Sequence, residues 1–186
     1  PVQKHSVSIS GGNKDVKYFL SGSYDKQVGL IKQNPDVYQK YNLRSKIDFN
    51  INKWFKMSNN TSYFTSSYSF PGVGSVENAF AYAARHALAS FPQKNPDGSW
   101  LYSTPLISGS YNVANGRHIV YGNGNNYNMD KYNDFANTTE LKFTPIKQFN
   151  ITANFTYRNY STSYTNRQTK FDYRIYPDGP IEYYTS

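Results

Sequence analysis

The sequence predicts an all-β chain, an antiparallel transmembrane β-barrel, from three features. These are long strands with period-2 alternation, connections that alternate between short and long, and aromatic residues near the strand ends. Successive side chains of a strand point to opposite faces, and a tilted strand of roughly 9 to 11 residues crosses a bilayer. Because every backbone group in lipid needs a hydrogen-bond partner, such strands are stable only in a closed barrel.

The alternation is clearest from residue 41 to 51, where Leu43, Ile47 and Phe49 share one face and polar residues occupy the other. It recurs from 149 to 159, with Ile151 and Phe155 on the apolar face. Further strands are predicted at 5–10, 16–28, 55–65 and 133–143. The longest segments are about twice the roughly five or six residues usual for soluble proteins. We therefore expect one face to contact hydrocarbon and the other to line a wet lumen.

The connections alternate in length along the chain. Short turns are predicted at 11–15, 52–54 and 144–148, and long connections at 29–40 and 66–132. Outer-membrane barrels have this asymmetry, with tight periplasmic turns at one rim and extended loops at the other. Aromatic residues near the strand ends fit the lipid headgroup levels: Tyr38, Tyr41, Trp54, Phe55, Tyr63, Tyr68, Tyr132, Phe149, Tyr157 and Tyr160. We predict that residues 1–186 belong to one barrel domain, with 66–132 as a long extracellular loop.

The predicted loop 66–132 is too long for an unstructured connection, so we expect it to be folded and functional. Ser75 can cap a helix near 75–91, whose apolar residues follow helical spacing and which Pro92 ends. A turn is predicted at 95–98, and the Gly/Asn/Tyr-rich stretch 121–128 is expected to be exposed loop. Because the chain starts at Pro1 within strand-like sequence, we expect it to be part of a longer protein.

Composition excludes several function classes. The chain of 186 residues carries a formal charge of +8, but its basic residues are dispersed and accompany no nucleic-acid-binding motif. We therefore interpret them as a solvated polar surface and expect no nucleic-acid partner. The chain has no Cys, which excludes disulfides and thiolate metal sites.

Catalytic and metal-binding patterns are also missing from the sequence. His5, His86 and His118 do not stand at metal-ligand spacing, and no nucleophile motif occurs. Asp130, Asp134 and Glu140 could form an acid pair, but a strand rim and a lumen explain them better. We expect neither an enzyme nor a cofactor.

Aromatic loop residues are the remaining candidates for function. Tyr and Trp offer flat faces for stacking on sugars or peptide side chains. The candidate contacts to a substrate or a lid are Trp100, Tyr102, Tyr111, Tyr121 and Tyr127. The alternative is that these rings pack the large loop onto itself.

The chain also carries an ordered set of short motifs. They are His5-Ser-Val-Ser-Ile-Ser-Gly-Gly-Asn13, Lys17-Tyr-Phe-Leu-Ser-Gly-Ser-Tyr24, Tyr41-Asn-Leu-Arg44, Asn52-Lys-Trp-Phe-Lys56, Pro96-Asp-Gly-Ser-Trp100 and Thr144-Pro-Ile146. In order and spacing, they resemble the barrel of SusC/RagA-type TonB-dependent outer-membrane transporters. The resemblance runs from Val2 to about Asn159, and Lys26-Gln-Val28 departs from the acidic, Gly-linked pattern commoner there.

The resemblance implies about six or seven strands of a barrel of the 22-stranded class, plugged by a separate domain. It implies a place in the outer membrane of a Gram-negative bacterium of the Bacteroidota, in contact with lipid. It further implies nutrient import of glycans or peptides, a SusD-like surface lipoprotein as lid, and energy from the TonB–ExbB–ExbD complex.

Two other functions stay open at this point. A surface adhesin or glycan-binding β-protein could use the same Tyr/Asn-rich loops without transport. A soluble carbohydrate-binding sandwich would instead bury the apolar faces of its strands, and would fold as a monomer when expressed alone.

Overall fold

A computed structural model of the chain describes residues 1–30, 34–71, 77, 81, 84–85, 92–102, 118–119 and 125–184. Most of these residues lie in β-strands. In chain order the strands are β1 (Val2–Gly12), β2 (Val16–Val28), β3 (Val37–Asn50), β4 (Phe55–Pro71), β5 (Tyr127–Ile146), β6 (Phe149–Arg167), β7 (Phe171–Tyr173) and β8 (Glu182–Tyr184).

Strands β1 to β6 form one sheet in which each strand pairs with its neighbour in the chain. The β1–β2 ladder is antiparallel, as is the β2–β3 ladder, in which Val16 lies opposite Phe49 and Val28 lies opposite Val37. These six strands are 11 to 20 residues long. Strands β7 and β8 form a separate antiparallel pair. The predicted all-β, antiparallel architecture is confirmed.

Short turns join β1 to β2, β3 to β4 and β5 to β6, all at the same end of the sheet. The first two turns share a design, because Asn13 and Asn52 each accept hydrogen bonds from the backbone N–H groups two and three residues further on, at 2.8 to 3.0 Å. Asparagine is common in turns because its side chain can replace a backbone acceptor in this way.

The strands extend further than the sequence predicts. The third short turn is only 147–148, because β5 continues to Ile146, and the long connections are 29–36 and 72–126. The additional strand residues are largely polar or aromatic, so their alternation carries no hydrophobic signal although the backbone ladder continues.

The chain divides into two compact units. The sheet unit comprises 1–28, 37–68 and 130–163, and the loop unit comprises 29–36, 69–129 and 164–186. Among the described residues, the buried hydrophobic side chains are Leu101, Ile119 and Phe171, and all three belong to the loop unit. The sheet unit therefore contributes no buried apolar core to the described part of the chain.

The predicted helix near 75–91 falls mostly outside the described residues. The four positions that are described there, 77, 81 and 84–85, are helical. Within the part of the chain that the structure describes, no helix has both the length and the apolar character needed to cross a bilayer.

Candidate functional site

The first half of the sheet has one continuous apolar face. Val7 lies opposite Gly22, which lies opposite Leu43, so the three residues form a row across β1, β2 and β3. A Cβ placed on Gly22 would lie 3.3 Å from a Leu43 methyl group and 4.0 Å from one of Val7. Val7 is nevertheless 73% exposed and Leu43 57% exposed. No described residue covers this face.

The apolar face continues on β5 and β6. The Phe135 and Tyr157 rings contact each other across these strands, with centroids 6.3 Å apart. Phe155 is 69% exposed and Ile151 is 47% exposed. The aliphatic and aromatic side chains that alternate along these strands thus lie on a sheet surface rather than converging on a dry interior, as they would in a soluble sandwich.

A polar cluster interrupts the apolar face between β4 and β5. Asn59 and Asn137 donate to each other's amide oxygens at 3.3 and 3.2 Å. Asn59 also donates to Thr139 at 2.9 Å, and Asn137 donates to Thr61 at 2.7 Å. The four side chains therefore satisfy one another, and they place polar atoms on an apolar surface without leaving those atoms unpaired.

The opposite, polar face carries a cleft on β5 and β6 lined by Tyr132, Arg158 and Tyr160. Arg158 donates two hydrogen bonds to Asp134, from Nε at 3.0 Å and from Nη2 at 2.6 Å. The Phe64 ring meets Tyr132 edge to face, with centroids 5.6 Å apart. This cleft combines flat aromatic faces with a planar ion pair, which is a suitable lining for a polar ligand that contains a ring.

A small hairpin organises the loop unit. Lys94 pairs with Trp100, and Gly98 donates to the Asn95 carbonyl at 2.9 Å, which closes the turn predicted at 95–98. Gly98 adopts φ = +85°, a conformation that a side chain would strain. The hairpin brings Leu101 beside Arg174 in a parallel bridge.

Asp97 holds this hairpin through its carboxylate. It accepts hydrogen bonds from the backbone and the hydroxyl of Ser99, at 2.9 and 2.6 Å, and from the Asp178 backbone at 3.1 Å. Arg174 lies 3.4 Å away. The pKa of the Asp97 carboxyl is lowered from 3.8 to about 2. The two hydrogen bonds from Ser99 are the largest cause, and the hydrogen bond from the Asp178 backbone and the charge of Arg174 add smaller contributions.

The Trp100 ring contacts both a cation and an imidazole. The Lys94 ammonium is 4.4 Å from the Trp100 ring centroid, and the buried His118 ring meets the indole edge to face at 5.9 Å. His118 donates from Nε2 to the Leu101 carbonyl at 2.8 Å. Burial lowers the pKa of His118, so the ring is neutral at ordinary pH.

Tyr102 packs against Tyr173 of β7, with ring centroids 4.8 Å apart. Tyr173 donates to Glu182 at 2.7 Å. Burial, together with that neighbouring carboxylate, raises the pKa of the Tyr173 phenol to about 12. Trp100, Tyr102 and Tyr173 all pack against the buried pair Ile119 and Phe171.

The structure places the five predicted contact residues in different parts of the chain, and it describes three of them. Trp100 and Tyr102 come together on the small core of the loop unit and are half-buried. Tyr127 is the first residue of β5 and is also half-buried. Tyr111 and Tyr121 lie outside the described residues.

Sequence reasoning missed the contribution of the chain after β6. Phe171 and Tyr173 complete the aromatic cluster, and Arg174 reaches Asp97 from the same segment. The only local signal was the alternation of aromatic residues at 171 and 173, which is too short to predict a strand by itself. Tyr132 was predicted as a strand-end aromatic residue at the headgroup level, but it lies on the polar face, where it lines the cleft with Arg158. Arg158 was visible only as part of an alternating strand, because the two residues meet across the ladder.

Comparisons with known proteins give one weak relationship. No protein-family model matches the chain. The chain is similar to the TonB-dependent receptor P26 of Formosa agariphila, with 25% identity over 171 residues. The match covers 91% of this chain and 16% of the relative, so the chain spans a small part of that protein's length. The antiparallel all-β architecture is consistent with a β-barrel fragment of such a receptor.

Proposed function

We propose that the chain forms part of the barrel wall of a TonB-dependent outer-membrane importer. The observation that carries this proposal is the sheet of long strands whose apolar face no described residue covers. An apolar face of this extent costs free energy in water and is stable against lipid. The similarity to a protein named as a TonB-dependent receptor supports the same function.

In this proposal the two faces of the sheet have different environments. The face with Val7, Leu43 and Phe155 contacts outer-membrane lipid, and the face with Arg44 and Arg158 lines the import passage. The short turns are periplasmic and the 72–126 connection is extracellular. The chain binds its cargo without transforming it, and the TonB–ExbB–ExbD complex supplies the energy.

We further propose a transporter of SusC type, with a SusD-like lipoprotein as lid and a glycan or peptide as cargo. The motifs shared with SusC/RagA barrels support this assignment. Trp100, Tyr102 and Tyr127 are the proposed contacts to cargo or lid, together with Tyr111 and Tyr121. Trp100 and Tyr102 are half-buried, so each keeps some accessible surface for such a contact.

Fractionation and uptake together test the proposal. The intact protein should stay with the outer membrane after washing with salt and alkali, and a deletion strain should lose growth on one glycan or peptide source. A deletion strain that grows normally but loses surface attachment would instead identify an adhesin. Recovery of the protein among soluble proteins would contradict both.

The aromatic contacts need a separate test with a matched control. Tyr127→Ala should reduce uptake without changing the amount of protein in the outer membrane. Tyr176→Ala, which removes a 54% exposed tyrosine of the loop unit, serves as the control. Equal uptake by both variants would remove Tyr127 from the proposed contacts.

A further inference from the structure

The polar face of β1, β2 and β3 carries an excess of positive charge. Asp25 lies in register between Lys4 on β1 and Lys40 on β3, and Lys40 approaches it to 3.4 Å. Two ammonium groups therefore flank one carboxylate, and one positive charge is left over.

The same arrangement recurs near the short turns. Asp48 on β3 lies in register with Lys17 on β2, and Lys46 of its own strand lies 3.9 Å away. Again one carboxylate is set against two ammonium groups. Both carboxylates are on the polar face, since they occupy the positions that alternate with Leu43 and Ile47 along the ladder.

Arg44 lies between these two groups. It is exposed, lies in register with Ser21, and forms no salt bridge among the described residues. We call the set Lys4, Lys17, Lys40, Arg44 and Lys46 the cationic column, because it follows the polar face from one end of β3 to the other. By contrast, Arg158 on β6 is neutralised by its paired hydrogen bonds to Asp134.

A phenyl ring is exposed within the cationic column. Phe19 occupies the polar face, is 38% exposed, and lies directly opposite Lys46 in the ladder. An exposed aromatic ring beside a cation offers a stacking surface for a sugar ring and a counter-charge for an acidic substituent on that ring.

Exposed ion pairs of this kind add little stability, so stability does not explain the surplus of cations. Where the plug leaves the passage filled with water, a cationic wall with low-dielectric surroundings concentrates anions, because the field is focused inside it. We infer that the cationic column selects an anionic oligosaccharide, one that carries carboxylate or sulfate groups. This inference rests on the proposed function, in which the polar face lines the import passage.

Binding of charge-matched polymers to the full-length protein in detergent tests the inference. Dextran sulfate should bind at least about tenfold more tightly than dextran of the same chain length at low salt. The difference should shrink as salt is added, because salt screens the column. Polyglutamate of equal charge should bind more weakly than dextran sulfate, since it has no sugar ring to stack on Phe19.

Two variants with the same charge change locate the effect. Arg44→Glu should lower the affinity for dextran sulfate severalfold and leave dextran binding unchanged. Lys26→Glu makes the same change on the opposite face of β2 and should leave both affinities unchanged. Equal affinity for dextran and dextran sulfate, tighter binding of polyglutamate, or an equal loss in Lys26→Glu would overturn the inference.

A failure of the anionic-cargo inference can be distinguished from a failure of the proposed import function. A protein that fractionates with the outer membrane and supports uptake, but shows no preference for dextran sulfate, contradicts only the anionic cargo. A protein recovered in the soluble fraction contradicts the import function, whatever its charge preference.

Discussion

Single asparagine side chains fix the short turns of the sheet. The Asn13 amide oxygen accepts two backbone hydrogen bonds that hold the chain between β1 and β2. We expect Asn13→Ala to lower the free energy of unfolding by about 1 kcal/mol, because two exposed backbone donors then return to water. Urea titration of the full-length protein in lipid vesicles measures this change.

Lys14→Ala is the control for that substitution, since it truncates an exposed side chain in the same turn and leaves the Asn13 contacts intact. An unfolding free energy equally reduced in both variants would mean that the asparagine acceptor does not hold the turn.

Asp97 gives the loop unit a defined acid response. Its folded pKa of about 2 lies below the ordinary value of 3.8. The ionised carboxylate therefore stabilises the hairpin fully above about pH 4, and this stabilisation is lost as the pH falls toward 2. Hydrogen exchange across 94–101, corrected for intrinsic rates, should show protection falling over that window.

Two asparagine substitutions separate the contact from the charge. Asp97→Asn should abolish most of the acid dependence and reduce protection of the hairpin at neutral pH. Asp178→Asn removes the same charge but keeps the backbone N–H that donates a hydrogen bond to Asp97. Asparagine also tolerates the φ of +56° at position 178. Similar exchange profiles in the two variants would contradict the role of the Asp97 contacts.

At the scale of elements, the polar cluster of Asn59, Thr61, Asn137 and Thr139 stabilises the pairing of β4 with β5 through side-chain hydrogen bonds. If this face contacts lipid as proposed, a double-mutant cycle on Asn59 and Asn137 should give a coupling free energy of about 1 kcal/mol, because water then does not compete for these amides. The pair Thr138 and Thr156, 3.0 Å apart across β5 and β6 on the polar face, should couple more weakly. Stronger coupling in the threonine pair would reverse the assignment of the faces.

The strands themselves were predictable because each is long enough for period-2 alternation to repeat. The segment from 41 to 51 lies almost entirely within β3, and 149 to 159 lies entirely within β6. The start of β5 was not predictable, since Asn128 and Asp130 carry no hydrophobic alternation. The prediction of an exposed loop over 121–128 was wrong at its end, because Tyr127 and Asn128 belong to β5 and Asn128 is buried. There the backbone ladder, rather than side-chain pattern, defines the strand.

The candidate site was less predictable than the strands, because its contacts join distant parts of the chain. Trp100 and Tyr102 were singled out as aromatic loop residues, but the packing of Tyr102 on Tyr173 depends on a segment about seventy residues further on. The charge surplus of the cationic column was likewise not predictable, because its basic residues are dispersed along the sequence. It is recognisable only from the ladder register, which places Asp25 between Lys4 and Lys40.

At the scale of the whole molecule, the proposed import function requires one face of the sheet to contact lipid and the other to line the passage. Strands of 11 to 20 residues are long enough to cross a bilayer when tilted, and the longer ones reach beyond it. In a closed barrel the free edges of β1 and β6 would pair with further strands, and the apolar surface would meet lipid along its length.

Spin labels on adjacent residues of the full-length protein in lipid vesicles test this assignment most directly. Labels at Leu43→Cys and Phe155→Cys should collide mainly with dissolved oxygen, which partitions into hydrocarbon. Labels at Asn42→Cys and Asn154→Cys, one residue away on the opposite face, should collide mainly with a water-soluble nickel chelate. Equal nickel accessibility at all four positions, or the reverse alternation, would contradict a lipid-facing apolar surface and the import function built on it.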